Sequence, residues 1–310
     1  MKVNTLGNTG IKISELGYGC AALFGKNVIG KQGLSEEDAF RIIKTAFENG
    51  INFFDTGFNY GYAEERLGRI LSRLFEQKMI TRNDIVIETK CGETLNENGT
   101  YGGYDWSSDW IKKSVEISLK RMNIDYIDLL AMHGGTPEDC TDKLINTFEN
   151  LKAEGVIRAY GVNTFDDTFL DWICKKKCFD YVMLDYNIMK QHREDIIQRM
   201  YENGIGILAG MALGQALFAK KKIKNRNDLW YWLRAFVNFR NNMQRGKDFR
   251  FLTKQEGFSG NQLALRYVLD NPYVSSAVFS TISIEHLRDD LSAVNIEMPD
   301  SIRRAIKDRA

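Results

Sequence analysis

The chain of 310 residues is 44% hydrophobic and 27% charged, the profile of an ordinary globular protein with a sizeable core. Lys and Arg number 42 against 41 Asp and Glu, a net charge of +1 that argues against nucleic-acid binding or a membrane-surface role. No apolar run spans a bilayer, Met1–Gly7 lacks the apolar core of a signal peptide, and five scattered cysteines read as reduced thiols, so a cytoplasmic protein is expected.

Met1–Ser14 carries Leu6-Gly7-Asn8-Thr9-Gly10 between short alternating runs, a β-hairpin signal. From Leu16 onward, β-rich runs alternate with amphipathic helical patterns. The strand Leu16–Cys20 leads into the helix Ser35–Asn49, which opens on the capping box Ser35-Glu36-Glu37-Asp38 and ends on Asn49-Gly50. Ile51–Asp55 precedes the helix Ala63–Phe75, Ile85–Lys90 precedes Ser108–Met122, and Ile127–His133 precedes Thr141–Glu154. The alternation continues with Ala159–Val162 and Asp166–Lys176, then with Tyr181–Tyr186 and Glu194–Asn203. It closes with Ile205–Ala209, the helix Gly260–Asp270 and the strand Ala277–Ser280. Strands alternating with helices imply βαβ units, and eight of them favour a closed α/β architecture, a (β/α)8 TIM barrel, over an open doubly wound sheet.

The segment 214–258 breaks the rhythm after the seventh strand. It holds the basic run Lys220–Lys224 and then Trp230, Tyr231, Trp232 and Phe236, and is expected to be a partly helical insertion overhanging the rim. Without Pro-rich linkers or low-complexity tracts, residues 1–310 read as a single domain. Cys174 and Cys178 lie four apart, but a metal site needs two more ligands nearby, and three histidines supply few candidates; no metal site is expected.

Four polar residues stand at or just beyond predicted strand ends: Asp55 and Tyr60 after the second strand, Lys90 ending the third, and His133 ending the fourth. In a closed parallel barrel, strand ends converge on one rim, so side chains far apart in sequence meet there. Reducing a carbonyl leaves an alkoxide that needs a proton. A tyrosine supplies one poorly near pKa 10, but an adjacent ammonium stabilises tyrosinate and is expected to lower that value. Tyr60 is then the acid, Lys90 tunes it, Asp55 anchors Lys90, and His133 orients the carbonyl.

The same residues resemble the aldo-keto reductase family. Leu6-Gly7-Asn8-Thr9-Gly10 with Leu16-Gly17-Tyr18-Gly19 is similar to the family's start, and Phe54-Asp55-Thr56 with Tyr60-Gly61 and Glu64-Glu65-Arg66-Leu67-Gly68 to its first signature. Ser114–Arg121 followed by Asp125–Leu130 is similar to its second. The resemblance implies that Asp55, Tyr60, Lys90 and His133 form the catalytic tetrad of a nicotinamide-dependent oxidoreductase.

It also implies a cofactor side. Asn163 and Thr164 stand where a Ser-Asn pair commonly holds the nicotinamide amide, and Met183 stands where a Gln is common. Gly210 falls near the place of a stacking aromatic, with Leu213 on the same loop. Ser280, Thr281, His286 and Asp290 fall on the segment that binds the adenosine end. The resemblance implies NADP(H), the family default, as the expected cofactor, but Ser280 and His286 replace a Lys and an Arg common in NADP-preferring members, so NAD(H) stays open. Lys220–Lys224 or Arg288 are candidate replacements for the missing charge.

The segments Tyr18–Gly25 and Tyr60–Glu65 are similar to those of aldose dehydrogenases and sugar-directed reductases. The implied substrate is an aldose, a keto-sugar or a small aldehyde, with Phe24, Trp106 and Trp230 as candidate substrate contacts from rim loops; Tyr101 and Trp232 lie on the same loops. Two alternatives stand beside this reading: a nicotinamide-binding regulatory barrel without free turnover, and a redox-neutral sugar isomerase or epimerase that retains its cofactor. The partner expected is a small molecule, with neither nucleic acid nor membrane, and the sequence leaves monomer and homo-oligomer open.

Overall fold

The computed structural model describes residues 1–23, 34–97, 99–216, 218 and 240–309. Strands β1 (Val3–Thr5) and β2 (Lys12–Ser14) pair antiparallel as the expected hairpin. Ten strands follow: β3 (Leu16–Gly19), β4 (Phe53–Asp55), β5 (Val86–Cys91), β6 (Glu93–Leu95), β7 (Tyr101–Tyr104), β8 (Ile127–His133), β9 (Ile157–Asn163), β10 (Tyr181–Asp185), β11 (Gly206–Gly210) and β12 (Ser276–Phe279). Strands β6 and β7 form a separate antiparallel ribbon. The other eight close in the order β3-β4-β5-β8-β9-β10-β11-β12, all parallel, as the sequence pattern implied.

Around them run α1 (Glu36–Glu48), α2 (Ala63–Glu76), α3 (Ser108–Met122), α4 (Asp142–Ala153), α5 (Asp167–Lys176), α6 (Glu194–Glu202), α7 (Arg240–Asp248), α8 (Gly260–Leu269), α9 (Ile284–Ser292) and α10 (Asp300–Lys307). Helix α1 shows why they form where they do. Ser35 Oγ accepts the Asp38 N–H at 3.0 Å, and Glu36, Glu37 and Asp38 place negative charge at the positive end of the helix. Its apolar stripe of Phe40, Ile42, Ile43 and Ala46 is buried against the barrel, and the helix stops at Asn49, with Gly50 at φ +92°. Helices α2 and α3 approach closely because residue 68 has no side chain: a Cβ on Gly68 would stand 2.5 Å from the Met122 carbonyl oxygen.

The hairpin closes the N-terminal end of the barrel. Leu6, Ile11 and Ile13 are buried against Phe53, Val86 and Leu129 in the lumen, each such side chain contributing about 1.5–3 kcal/mol. Gly17 leaves room for the Phe53 ring, which would lie 2.3 Å from a Cβ there. With this end plugged, the rim at the strand C-termini is the end left to carry a site.

Barrel strand bounds differ from the sequence expectation by at most two residues, and Ile127–His133 matches at both ends. The β6–β7 ribbon and the two C-terminal helices α9 and α10 were not expected. Of the 214–258 insertion, the described part holds a turn at Gly214–Ala216, helix α7 and a 3-10 turn at Arg250–Lys254. Lys220–Lys224, Trp230 and Trp232 lie outside the described residues, as does Phe24.

Candidate active site

Asp55 is the last residue of β4, Lys90 the fifth of six in β5, and His133 the last of β8; Tyr60 lies in the loop after β4. That loop is sewn to β5 through the main chain, where Thr56 N–H donates to the Glu88 carbonyl at 2.8 Å and Phe58 N–H to the Lys90 carbonyl at 3.4 Å. Tyr60 N–H then turns back to the Gly57 carbonyl at 3.0 Å. A Cβ on Gly57 would crowd the Tyr60 ring at 3.3 Å, so the glycine lets the phenol lie flat over the loop.

The four expected side chains meet. Lys90 is buried, forms an ion pair with Asp55 and donates to the Thr56 carbonyl at 2.6 Å. Its ammonium lies 4.9 Å from the centre of the Tyr60 ring, and the Tyr60 and His133 rings meet edge to face at 5.7 Å.

The electrostatics depart from the sequence expectation in one respect. Tyr60 is pushed up to about 12 because burial of the phenol outweighs the downward pull of Lys90, and Asp55 adds to the rise. The ammonium acts in the expected direction and loses to desolvation. Burial also pulls on Lys90, but Asp55, Tyr60 and Glu88 together hold its pKa above the ordinary lysine value.

Sequence reasoning missed the partner of His133. Glu93, the first residue of β6, meets His133 Nδ1 with Oε2 at 2.6 Å, and its other oxygen accepts from Asn59 Nδ2 at 3.2 Å. A carboxylate on Nδ1 fixes that nitrogen as the N–H side and leaves Nε2 for a ligand. Trp110 Nε1 donates to the Glu93 carbonyl at 3.1 Å and fixes the strand that carries it. The signal was an acid three residues beyond Lys90, across a Gly92 that readily reads as a plain turn.

Trp106 lies at this rim, as expected. A Cβ on Gly92 would collide with its ring at 1.9 Å, and one on Gly135, just after β8, would lie 3.2 Å from it. Tyr104, which the sequence reading passed over, stacks on Trp106 with ring centres 5.3 Å apart.

The expected cofactor residues occupy the other half of the rim. Asn163 ends β9 as the register partner of His133, so the two halves join there. Its Nδ2 donates to the Met183 carbonyl at 3.2 Å, and Thr164 N–H donates to the same carbonyl at 3.1 Å. The Met183 side chain is buried in the lumen, beside Gly210 at the end of β11: a Cβ on Gly210 would stand 3.2 Å from Met183 Cγ. Leu213 is half-buried on the loop beyond. Ser280 Oγ donates to the Gly19 carbonyl at 2.7 Å, and the Thr281 carbonyl accepts from Tyr18 at 2.7 Å, tying β12 to β3. His286 is exposed in the first turn of α9, under the Ser283 cap. Asp290 is buried, accepts from Asn261 Nδ2 at 2.9 Å, and is pushed up to about 7 by burial.

The family model for the aldo/keto reductase family matches residues 15–308. The chain belongs to the aldo-keto reductase family. The uncharacterized oxidoreductase YqkF of Bacillus subtilis (strain 168) is 30% identical over 95% of this chain and 92% of its own. L-galactose dehydrogenase of Arabidopsis thaliana is 27% identical over 95% of this chain and 88% of its own. The holo form of an aldo-keto reductase from Bacillus halodurans matches with a TM-score of 0.79 at 27% identity, over 100% of this chain and 96% of that one.

This aldo-keto reductase is therefore an NAD(P)-dependent oxidoreductase on a TIM barrel. Among the described residues, no helix is long and apolar enough to cross a membrane. The family's first signature also has a packing reason here. Glu64 is buried between Thr89 Oγ1 at 2.7 Å and Arg121 at 2.8 Å, which fixes α2 against β5 and α3. From the second, Asp128 is buried and accepts from Arg82, Arg158 and the Ile87 N–H, locking β8 to β5 beneath the site.

Proposed function

We propose that this aldo-keto reductase moves hydride between a nicotinamide dinucleotide and the carbonyl carbon of an aldose, keto-sugar or small aldehyde, with Tyr60 exchanging the proton at the carbonyl oxygen. The observation that carries the reading is the convergence of the Lys90–Asp55 pair, Tyr60 and His133 at one end of the barrel.

In the reduction direction, Tyr60 at about 12 keeps its proton throughout the working pH range. An alkoxide is a stronger base than a tyrosinate, so transfer to the substrate oxygen runs downhill. The tyrosinate left behind is stabilised by Lys90, whose charge Asp55 holds in place. His133 Nε2, with Nδ1 held by Glu93, is the group that orients the carbonyl oxygen. Trp106 and Tyr104 offer a stacked aromatic face for an apolar or sugar-ring surface.

The other half of the rim fits a nicotinamide. Asn163 and Thr164 bring an amide and a hydroxyl to the strand ends, and Gly210 and Gly19 leave the neighbouring positions free of side chains. A bound nicotinamide supplies the hydride donor or acceptor. Met183, Leu213 and the segment Ser280–Asp290 complete the residues assigned to hold the dinucleotide. NADP(H) is the family's usual partner. Ser280 and His286 carry no fixed positive charge for a 2′-phosphate, which admits NAD(H) as well. The kinship with L-galactose dehydrogenase supports an aldose among the substrates.

The test is a label transfer. NADPH and NADH deuterated at C4 are offered with aldoses, keto-sugars and small aldehydes, and the alcohol products are examined by mass spectrometry. Deuterium on the former carbonyl carbon is expected; its absence from every product would remove the assignment.

A further inference from the structure

Beneath the tetrad lies a carboxyl for which the proton exchange has no role. Along β5, Val86, Glu88 and Lys90 face the lumen, while Thr89 turns outward to Glu64 of α2. Asp55 and Glu88 are register partners on adjacent parallel strands, so their side chains stand side by side on the lumen face. Like charges so placed repel. Glu88 is fully buried, and Tyr181 of β10 reaches across the lumen to donate to its Oε1 at 3.0 Å. That reach depends on Gly161 in β9, where a Cβ would come within 2.6 Å of the Tyr181 ring. The other oxygen, Oε2, meets no donor among the described residues.

One ammonium thus faces two buried carboxyls among the apolar side chains of the lumen. Both ionised, they would leave the cluster with net negative charge and one buried oxygen without a donor. One ionised and one protonated leaves it neutral, and the acid's own O–H supplies the missing donor. Asp55 holds the ion pair with Lys90, so the proton falls to Glu88. We propose that Glu88 is held as a neutral carboxylic acid sharing its proton with Asp55, and that this neutrality leaves the charge of Lys90 available to Tyr60. Glu88 is a positioning residue in this sense: it acts on Tyr60 through the charge balance around Lys90.

Other titratable groups near the cluster do not change that balance. Tyr60 and Tyr181 are both raised by burial and stay neutral. The thiols of Cys20, beyond β3, and Cys91, on β5, are likewise raised by burial. Leu129 of β8, the register partner of Glu88, adds only apolar surface. The direction agrees: burial pushes Glu88 up to about 8 against the pull of Lys90, and Asp55 adds to the rise. An ionised Glu88 also makes tyrosinate at Tyr60 harder to form, so its ionisation at alkaline pH is expected to depress turnover.

The inference rests on the proton role proposed for Tyr60, and its test is partly independent of catalysis. Infrared spectra of the free full-length protein, with carbon-13 in its glutamates, are followed through a pH titration. The wild type is expected to show a protonated glutamic acid carbonyl band that bleaches through about pH 8. Glu88→Gln, which keeps shape and offers an N–H to Asp55, should lack the band and hold its turnover to higher pH. Tyr181→Phe removes a donor that favours the ionised form and should move the midpoint upward. No such band at mildly acidic pH, or its persistence in Glu88→Gln, overturns the proposal. Should Glu88→Gln not fold, an unmoved midpoint in Tyr181→Phe overturns it as well. A Tyr60→Phe protein with undiminished turnover would instead remove the function proposed above while leaving the band in place.

Discussion

The two halves of the barrel rim are built on different terms. On the side of β4, β5 and β8, charged side chains bind charged or polar side chains: Lys90 with Asp55, and Glu93 with His133 and Asn59. On the side of β9 to β12, Asn163 binds the main chain at Met183 and Ser280 that at Gly19, while Gly210 offers no side chain at all; the Asp185–Arg193 ion pair at the end of β10 and the Asp290–Asn261 bond are the exceptions. The first arrangement suits chemistry that needs charge placed before the substrate arrives. The second suits holding a ligand, where backbone and small side chains tolerate replacement.

That contrast fixes where substitutions should hurt. Lys90→Met leaves Asp55 buried without its partner, and breaking such a pair costs about 3–5 kcal/mol. Urea unfolding should show a loss of that size, and carbonyl turnover should disappear with it. A loss below about 1 kcal/mol would mean that the two groups are far less coupled than their contact implies.

Glu93→Gln keeps the volume but removes the charge that holds His133 Nδ1. Turnover should fall by roughly tenfold to a hundredfold, with nicotinamide affinity unaltered, because only the orientation of the imidazole is disturbed. Equal losses in both quantities would place Glu93 on the cofactor side instead. On the quiet half, Met183→Gln should change the nicotinamide dissociation constant by less than about tenfold, the scale of one hydrogen bond, and leave kcat in place. A collapse of kcat there would erase the contrast between the two halves.

The same contrast explains what was legible in the sequence. The strand-end positions of Asp55, Lys90 and His133 follow from period and length, since a short β-rich run followed by a helix fixes where the strand stops. The hairpin and the barrel closure followed in the same way. The depth at which Tyr60 lies did not, because it depends on Gly57 and on packing from distant strands; the expected lowering became a rise to about 12. Glu88 and Glu93 were in plain view in Glu88-Thr89-Lys90-Cys91-Gly92-Glu93, but an acid in a strand usually faces water. Only the register that sets Glu88 beside Asp55, and the β6 strand that brings Glu93 to His133, gives them their places. Helix α9 is the eighth helix that the (β/α)8 pattern itself calls for after its last strand, but with no strand following to bracket it, neither it nor the terminal α10 was marked out.

One measurement bears most directly on the central assignment. Tyr60→Phe removes a single oxygen while keeping the ring between Lys90 and His133. Turnover is compared with wild type under saturating nicotinamide, whose affinity is read separately by fluorescence titration. Turnover should fall by about a hundredfold or more, the contribution of a positioned proton donor, with affinity within a few-fold. Undiminished turnover in Tyr60→Phe would contradict the assignment of the proton to this residue.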